Sequence, residues 1–340
     1  MQGLPAASSP VNVGVDLGGT KIYTVAIDSR GEIVGEAKAK TPVKGGPMAV
    51  VDAICSTVGA LARPPELSAV GVGAPGAVDF STGEVRRAPN LPGWMEPFPL
   101  GPVLSEALDG TPVWVDNDVN VGTLAEHRLG AAAGQPDVLG LFVGTGVGGA
   151  LLLDGRIRRG PTGFAGEIGH MVVSPGGRRC GCGGRGHLEA YAGRAGMERR
   201  ARQMADRGTD TALVEVARAK RMTSSVFARA LAAKDSVASM LVDRAVETLG
   251  LAIASAAVIL DVPLVVVGGG LADRLGATFV ERIGTAALAQ MPSGQGEALT
   301  LVPGDLKDRG GALGAALLCE LEGAAPLAEP HVAVMARSRR

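Results

Sequence analysis

The 340-residue chain has almost no excess of either charge: 33 Lys and Arg face 34 Asp and Glu, a formal net charge of −1. It also lacks a long basic block, and with it the electrostatic footprint that a nucleic-acid partner requires. Arg199, Arg200 and Arg202 fall on a predicted helix and read as its solvated face. The opening MQGLPAASSP has neither the basic n-region nor the apolar core of a secretory signal. Long apolar runs are missing too. The stretch Leu249–Leu260 is too short to span a bilayer and follows Asp243, Arg244 and Glu247, so it reads as a buried helix. Cysteine is scarce, four in all, with Cys55 and Cys319 isolated, which excludes a disulfide scaffold. These absences describe a cytoplasmic chain without nucleic-acid or membrane partners, long enough for two domains or one large one.

What the sequence has in plenty is glycine, 51 residues with no collagen-like period. Glycine at that frequency implies many tight turns or close approaches of backbone to ligand. Two segments share one plan. From Val11 the pattern is strand, glycine turn at Gly18–Gly19, strand, turn at Ser29–Gly31, strand. From Val138 it repeats: strand, the glycine run 144–149, apolar strand, turn at Asp154–Gly155, strand. Two such hairpins in corresponding halves predict duplicated α/β lobes. Between and after them, helices are predicted over 49–61, 119–129 (closed by Gly130 as the residue after its end) and 312–321. A buried strand entering a tight turn is predicted over 68–78, a short strand ending in acids over 111–118, and a buried strand with a glycine turn over 262–270. Strands alternating with helices indicate an α/β protein of layered sheets.

Several short motifs carry chemistry, each with a plain alternative. Asp16 to Lys21 (DLGGTK) places an acid before a glycine turn and a lysine after it. Turn N–H groups can cradle phosphate oxygens and Asp16 can hold a hydrated Mg²⁺, but an ordinary hairpin has the same look. Gly144 to Gly149 (GTGVGG) supplies a second such loop with the Thr145 hydroxyl, and Gly268–Gly270 ends a strand where a base or ribose can lie. Neither a Walker A nor a dinucleotide fingerprint is present. In VDNDVN, Asp118 stands at a strand end and opens a helix, as a proton acceptor or as part of an N-cap. Asn117, Glu167, His170 and Glu189 form an amide, carboxylate and imidazole set suited to sugar hydroxyls.

Taken in order, DLGGTK, GAPG (Gly73–Gly76), NLPGW (Asn90–Trp94), DNDVN, GTGVGG, GEIGH and CGCGGRGHLE cover the chain from Val11 to Leu321. In this series the sequence resembles the ROK sugar kinases, and among them the bacterial glucokinases. The resemblance implies an actin-like ATPase (ribonuclease H-like) fold, duplicated and two-lobed with a cleft. It divides the chain into tails at 1–10 and 325–340, a small lobe of 11–117 plus 308–324, and a large lobe of 118–307. The final helix would return to pack on the first lobe. The implied reaction is transfer of the ATP γ-phosphoryl to the 6-hydroxyl of a hexose, with Mg²⁺. Matched motif by motif, Asp118 is the catalytic base, and Gly76, Asn90, Asn117, Asp118, Glu167, His170 and Glu189 bind the sugar. Asp16, Gly18, Gly19, Thr20, Lys21, Thr145, Gly146 and Gly269 serve ATP. Other hexoses, such as N-acetylmannosamine, N-acetylglucosamine, fructose, mannose or allose, fit the same hydroxyl-binding set, and polyphosphate could replace ATP. A homodimer or homotetramer is implied. Sugar-responsive regulators of the family carry a helix-turn-helix module ahead of DLGGTK; the dozen residues preceding it here are too few for three helices.

The family often carries a structural zinc held by the histidine of GEIGH and three cysteines in C-x-C-x₄-C order. Here His170, Cys180 and Cys182 match, and His187 stands where the third cysteine belongs. Cys₂His₂ is a common closed zinc set. The alternative is a reduced, metal-free loop; a redox pair is disfavoured by the C-x-C spacing.

Overall fold

The structure is a computed structural model that describes residues 10–322 apart from 65, 89, 90, 92, 218 and 219. The expected tails, Pro10 aside, and Asn90 lie outside the described residues. The chain divides into two compact units, one of residues 1–121 and 311–340, the other of 122–310.

In the first unit, β1 (Val11–Leu17), β2 (Lys21–Ile27) and β3 (Ile33–Lys40) form an antiparallel meander. Helix α1 (Gly46–Gly59) leads to β4 (Leu67–Ala74), which pairs parallel to β1. A two-stranded ribbon, β5 (Ala77–Asp79) and β6 (Glu84–Arg87), and α2 (Leu100–Ala107) precede β7 (Val113–Asn117), parallel to β4. The sheet order is β3-β2-β1-β4-β7. Its core is built from residues such as Val13, Val15, Val70, Val72 and Val115, with Val50, Ile54 and Val58 of α1 against them. The unit boundary falls inside α3 (Asp118–Leu129), and the C-terminal helix Gly310–Glu322 returns to the first unit. That helix seats on bare backbone. A Cβ at Gly14 of β1 would come 1.9 Å from the Ala312 carbonyl oxygen, and one at Gly71 of β4 1.8 Å from that of Ala315.

The second unit repeats the plan. β8 (Val138–Val143), β9 (Val147–Leu153) and β10 (Arg156–Ile157) are antiparallel, while β11 (Leu264–Gly268) and β12 (Thr300–Pro303) run parallel to β8. The order β10-β9-β8-β11-β12 is that of the first sheet, position for position. Two sheets of one order and one set of directions are the duplication anticipated from the two glycine hairpins, and they give the actin-like ATPase architecture. Between β10 and β11 lie α4 (Glu189–Ala192), α5 (Arg194–Ala205), α6 (Ala212–Ala217), α7 (Ser224–Ala232) and the 25-residue α8 (Ser236–Leu260). α9 (Ala272–Leu275) and α10 (Ala277–Leu288) separate β11 from β12. α8 is capped by the Asp235 carboxylate, which accepts the Ala238 N–H at 2.7 Å. It buries Leu241, Ala245, Leu249, Ala252, Ile253 and Ala256 at helical spacing. No described helix is long and apolar enough to cross a membrane.

Four sequence expectations need adjustment. Leu249–Leu260 is helical but not buried all round, since Leu251, Val258 and Ile259 face solvent. The tight turn of GTGVGG covers only Gly144–Gly146; Gly148 and Gly149 belong to β9. Gly130 follows α3 without a left-handed φ. Glycine fits there because a Cβ would lie 2.1 Å from the buried Glu126 carboxylate, which accepts the N–H groups of Ala131, Asp305 and Leu306. Of the three arginines read as a solvated face, only Arg199 is exposed; Arg202 is half-buried and pairs with Glu198 at 2.8 Å.

Candidate active site

In the first unit the DLGGTK segment turns between β1 and β2. The Gly18 N–H donates to the Lys21 carbonyl at 2.9 Å, and the Thr41 hydroxyl donates to the Gly18 carbonyl at 2.6 Å. Gly19 lies within this turn, Thr20 is exposed, and the Lys21 ammonium lies 5.3 Å over the Tyr23 ring. Asp16, half-buried on β1, packs against the first turn of the C-terminal helix, where a Cβ on Gly311 would come 2.9 Å from its carboxyl carbon.

At the carboxyl end of β7 the chain passes directly into α3. Asn117 caps that helix: its Oδ1 accepts the N–H groups of Val119 at 2.9 Å and Asn120 at 3.3 Å. Its Nδ2 donates to the Gly76 carbonyl at 3.0 Å, tying the GAPG turn to the start of α3. Buried Asp116 accepts from the Asn117 N–H and the Asn120 amide, both at 2.7 Å. The half-buried Asp118 carboxylate therefore occupies the first turn of a helix whose cap is supplied by its neighbour, with its Oδ1 2.9 Å from the Val119 N–H.

In the second unit the turn between β8 and β9 is closed by the Gly144 N–H donating to the Gly146 carbonyl at 2.9 Å. Its Thr145 hydroxyl accepts from the Arg194 guanidinium at 2.6 Å. The same guanidinium donates to the Met222 carbonyl, and Arg194 N–H and Ala195 N–H bond the Gly144 and Thr145 carbonyls. Burial holds the Arg194 pKa below its ordinary value. Glu189, first residue of α4, reaches the same turn, with the Val147 N–H 3.4 Å from one carboxylate oxygen. Its other oxygen accepts from the Cys180 thiol at 3.3 Å. Glu167 stands before a short 3₁₀ turn ending at His170, whose Nε2 lies 3.8 Å from the Glu167 carboxylate. Burial raises the Glu167 pKa, His170 opposes that rise and Glu189 adds to it. Gly269, at φ +91°, turns the chain out of β11 close to Val143 of β8.

His170, Cys180, Cys182 and His187 offer ligand atoms that all lie within 4.8 Å of one another. Cys182 Sγ is 3.2 Å from His187 Nδ1, and the two imidazoles stand edge to face at 5.5 Å. Zinc bonds of the usual lengths to sulfur and nitrogen set tetrahedral ligands roughly 3.3–3.8 Å apart, so this donor set fits a zinc ion with a small contraction. Burial pushes the Cys180 thiol up to about 12, so that ligand ionises only beside a cation.

Sequence reasoning missed Arg194 altogether, because its partner Thr145 is 49 residues away and nothing local marks an arginine that opens a helix. It also missed the thiol contact that joins the cysteine loop to Glu189.

A sequence model of the ROK family matches residues 12–322. The chain belongs to the ROK family. This ROK chain is 35% identical to a glucokinase of Streptomyces coelicolor over 268 residues, 78% of the chain and 83% of that protein. It is 33% identical to an N-acetylmannosamine kinase of Escherichia coli over 313 residues, 91% of the chain and 98% of that protein. A crystal structure of a ROK family glucokinase from Streptomyces griseus, in complex with glucose and AMPPNP, superposes with a TM-score of 0.78 at 32% identity. That match covers 92% of this chain and 99% of the other.

Proposed function

We propose that this ROK sugar kinase phosphorylates glucose at its 6-hydroxyl, using ATP, in the cytoplasm. The observation that carries the reading is the Asn117–Asp118 pair. Asn117 caps α3 and leaves the Asp118 carboxylate at a helix N-terminus, at the carboxyl end of a strand in an actin-like unit. Asp118 orients the 6-hydroxyl and accepts its proton; phosphoryl transfer is loose, so positioning outweighs base strength. Asn117, Glu167, His170 and Glu189 hold the remaining hydroxyls, with Gly76 presenting backbone and Asn90 a further amide. The Glu167 carboxylate accepts hydrogen bonds from those hydroxyls. The turns at Gly18–Lys21 and Gly144–Gly146 receive the ATP phosphates, and Gly269 lies near the adenosine. Mg²⁺ on Asp16 would neutralise phosphate charge; one carboxylate with phosphate oxygens and water suffices for that ion. The four-residue His/Cys set would hold zinc as a structural ion, fixing the His170 ring and the loop that leads to Glu189.

A coupled assay of ATP with a hexose panel tests the reading. The highest kcat/KM is expected for glucose. A higher value for N-acetylmannosamine would move the substrate and keep the kinase; no turnover of any hexose would remove both. Asp118→Asn is expected to lower kcat at least a thousandfold with glucose binding within threefold of wild type, by calorimetry. Retained turnover would end Asp118's role as base.

A further inference from the structure

The two glycine turns differ in sequence but are held in the same way. In the second unit the carbonyls of Gly144 and Thr145 accept from the Arg194 and Ala195 N–H groups. In the first unit the carbonyls of Gly18 and Thr20 are both taken up by one residue, Thr41, which follows β3 directly. Its N–H donates to the Thr20 carbonyl at 3.2 Å, and its hydroxyl to the Gly18 carbonyl at 2.6 Å. Thr41 is only 4% exposed, whereas Thr20 is open to solvent. The N–H bond continues the β2–β3 pairing, and any residue except proline could supply it. The hydroxyl bond depends on the side chain.

A trans peptide is planar, with its N–H opposite its C=O. Holding the Gly18 and Thr20 carbonyls at Thr41 therefore turns the Gly19 and Lys21 N–H groups to the other side of the turn. Holding the Gly144 and Thr145 carbonyls turns the Thr145 and Gly146 N–H groups likewise. Donors fixed before the ligand arrives need no reorganisation when an anion meets them. We infer, on the reading of Gly18–Lys21 as a phosphate turn, that Thr41 is a positioning residue for the nucleotide, its hydroxyl aligning the Gly19 N–H for a phosphate oxygen of ATP. It acts through the Gly18–Gly19 peptide and not by contact with phosphate. Its counterpart in the second unit is the first turn of α5, so the duplicated turns meet one requirement from unrelated sources.

Isothermal titration calorimetry of the full chain tests this, with a non-hydrolysable ATP analogue and, separately, glucose. Thr41→Val keeps the shape of the side chain and leaves the Gly18 carbonyl without its hydroxyl donor. It is expected to weaken analogue binding roughly tenfold and glucose binding less than twofold. Thr41→Ser restores the hydroxyl and should bind the analogue within threefold of wild type. Wild-type affinity for the analogue in Thr41→Val, an equal loss in Thr41→Ser, or equal losses for analogue and glucose would each overturn the role. A measurement on the wild-type chain needs no variant to fold. Amide hydrogen exchange at Gly19 and Lys21 should slow at least tenfold when the analogue is bound, and unchanged exchange at Gly19 would overturn the assignment. A wild-type chain that binds glucose but not the analogue would remove the nucleotide reading, and the role of Thr41 with it. Analogue binding that is tight in wild type and unaltered in Thr41→Val would remove the role of Thr41 alone.

Discussion

The Arg194 guanidinium fixes the Thr145 hydroxyl by donating to it, which leaves the hydroxyl proton directed elsewhere, available to a phosphate oxygen. Its loss frees that rotor and unties the turn from the Met222 carbonyl, while the backbone bonds of Arg194 and Ala195 to the turn remain. Arg194→Ala is therefore expected to raise the KM for ATP by roughly five- to thirtyfold, the worth of one or two charge-assisted bonds. The KM for glucose should change less than twofold, and steady-state kinetics in both substrates reads the split. At His187 the sequence departs from the cysteine usual in the family, yet the structure brings its ring to the other three donors. Metal analysis of purified protein should find one zinc per chain, retained in His187→Cys and lost in His187→Ala. Zinc retained in His187→Ala would remove the residue from the ligand set. The His/Cys cluster was legible in sequence because Cys180, Cys182 and His187 sit within eight residues and the family resemblance pointed to His170 as their partner. Arg194 was not, since its role exists only after two distant segments meet.

Elements were readable where turn chemistry marks both ends. The two meanders announced themselves through glycine turns and apolar strands. β12 did not: its four residues, Thr300–Pro303, are part-exposed and too short to show alternation. The β5–β6 ribbon was hidden similarly, although its stability is set by local polar contacts. Asp79 accepts the Ser81 hydroxyl at 2.7 Å and the Ser81 N–H at 3.1 Å, and pairs with Arg86 at 2.6 Å. The Ser81 hydroxyl foremost, then the Arg86 charge, hold the Asp79 pKa below its ordinary value. A carboxylate with a lowered folded pKa stabilises above the unfolded pKa, and that stability is lost as pH falls through the folded value. Asp79→Asn keeps an acceptor and removes the charge. It is expected to cost about 1 kcal/mol at pH 7 after solvent screening, with the difference from wild type closing below about pH 4. Urea midpoints of the two proteins across pH measure it; a constant difference would place the effect in shape rather than charge.

At the scale of the whole chain, the two units share a plan but not a continuity. The second unit is one uninterrupted segment, whereas the first borrows the C-terminal helix from beyond it. That helix buries Ala312, Leu313, Ala315, Ala316, Leu317, Leu318 and Cys319, and β1 and β4 present glycines beneath it. Those glycines leave a groove into which the helix backbone packs. Burying seven such side chains is worth about 10 kcal/mol, comparable to the net stability of a domain. A chain ending at Gly310 should therefore lose the first unit and keep the second. Limited proteolysis of residues 1–310 is expected to degrade the segment before Gly122 at least tenfold faster than in the full chain, and to leave a resistant fragment beginning near Gly122. Equal resistance of both segments would show that the first sheet holds without its returning helix. Loss of both would show that the second unit, for all its continuous sequence, does not fold independently.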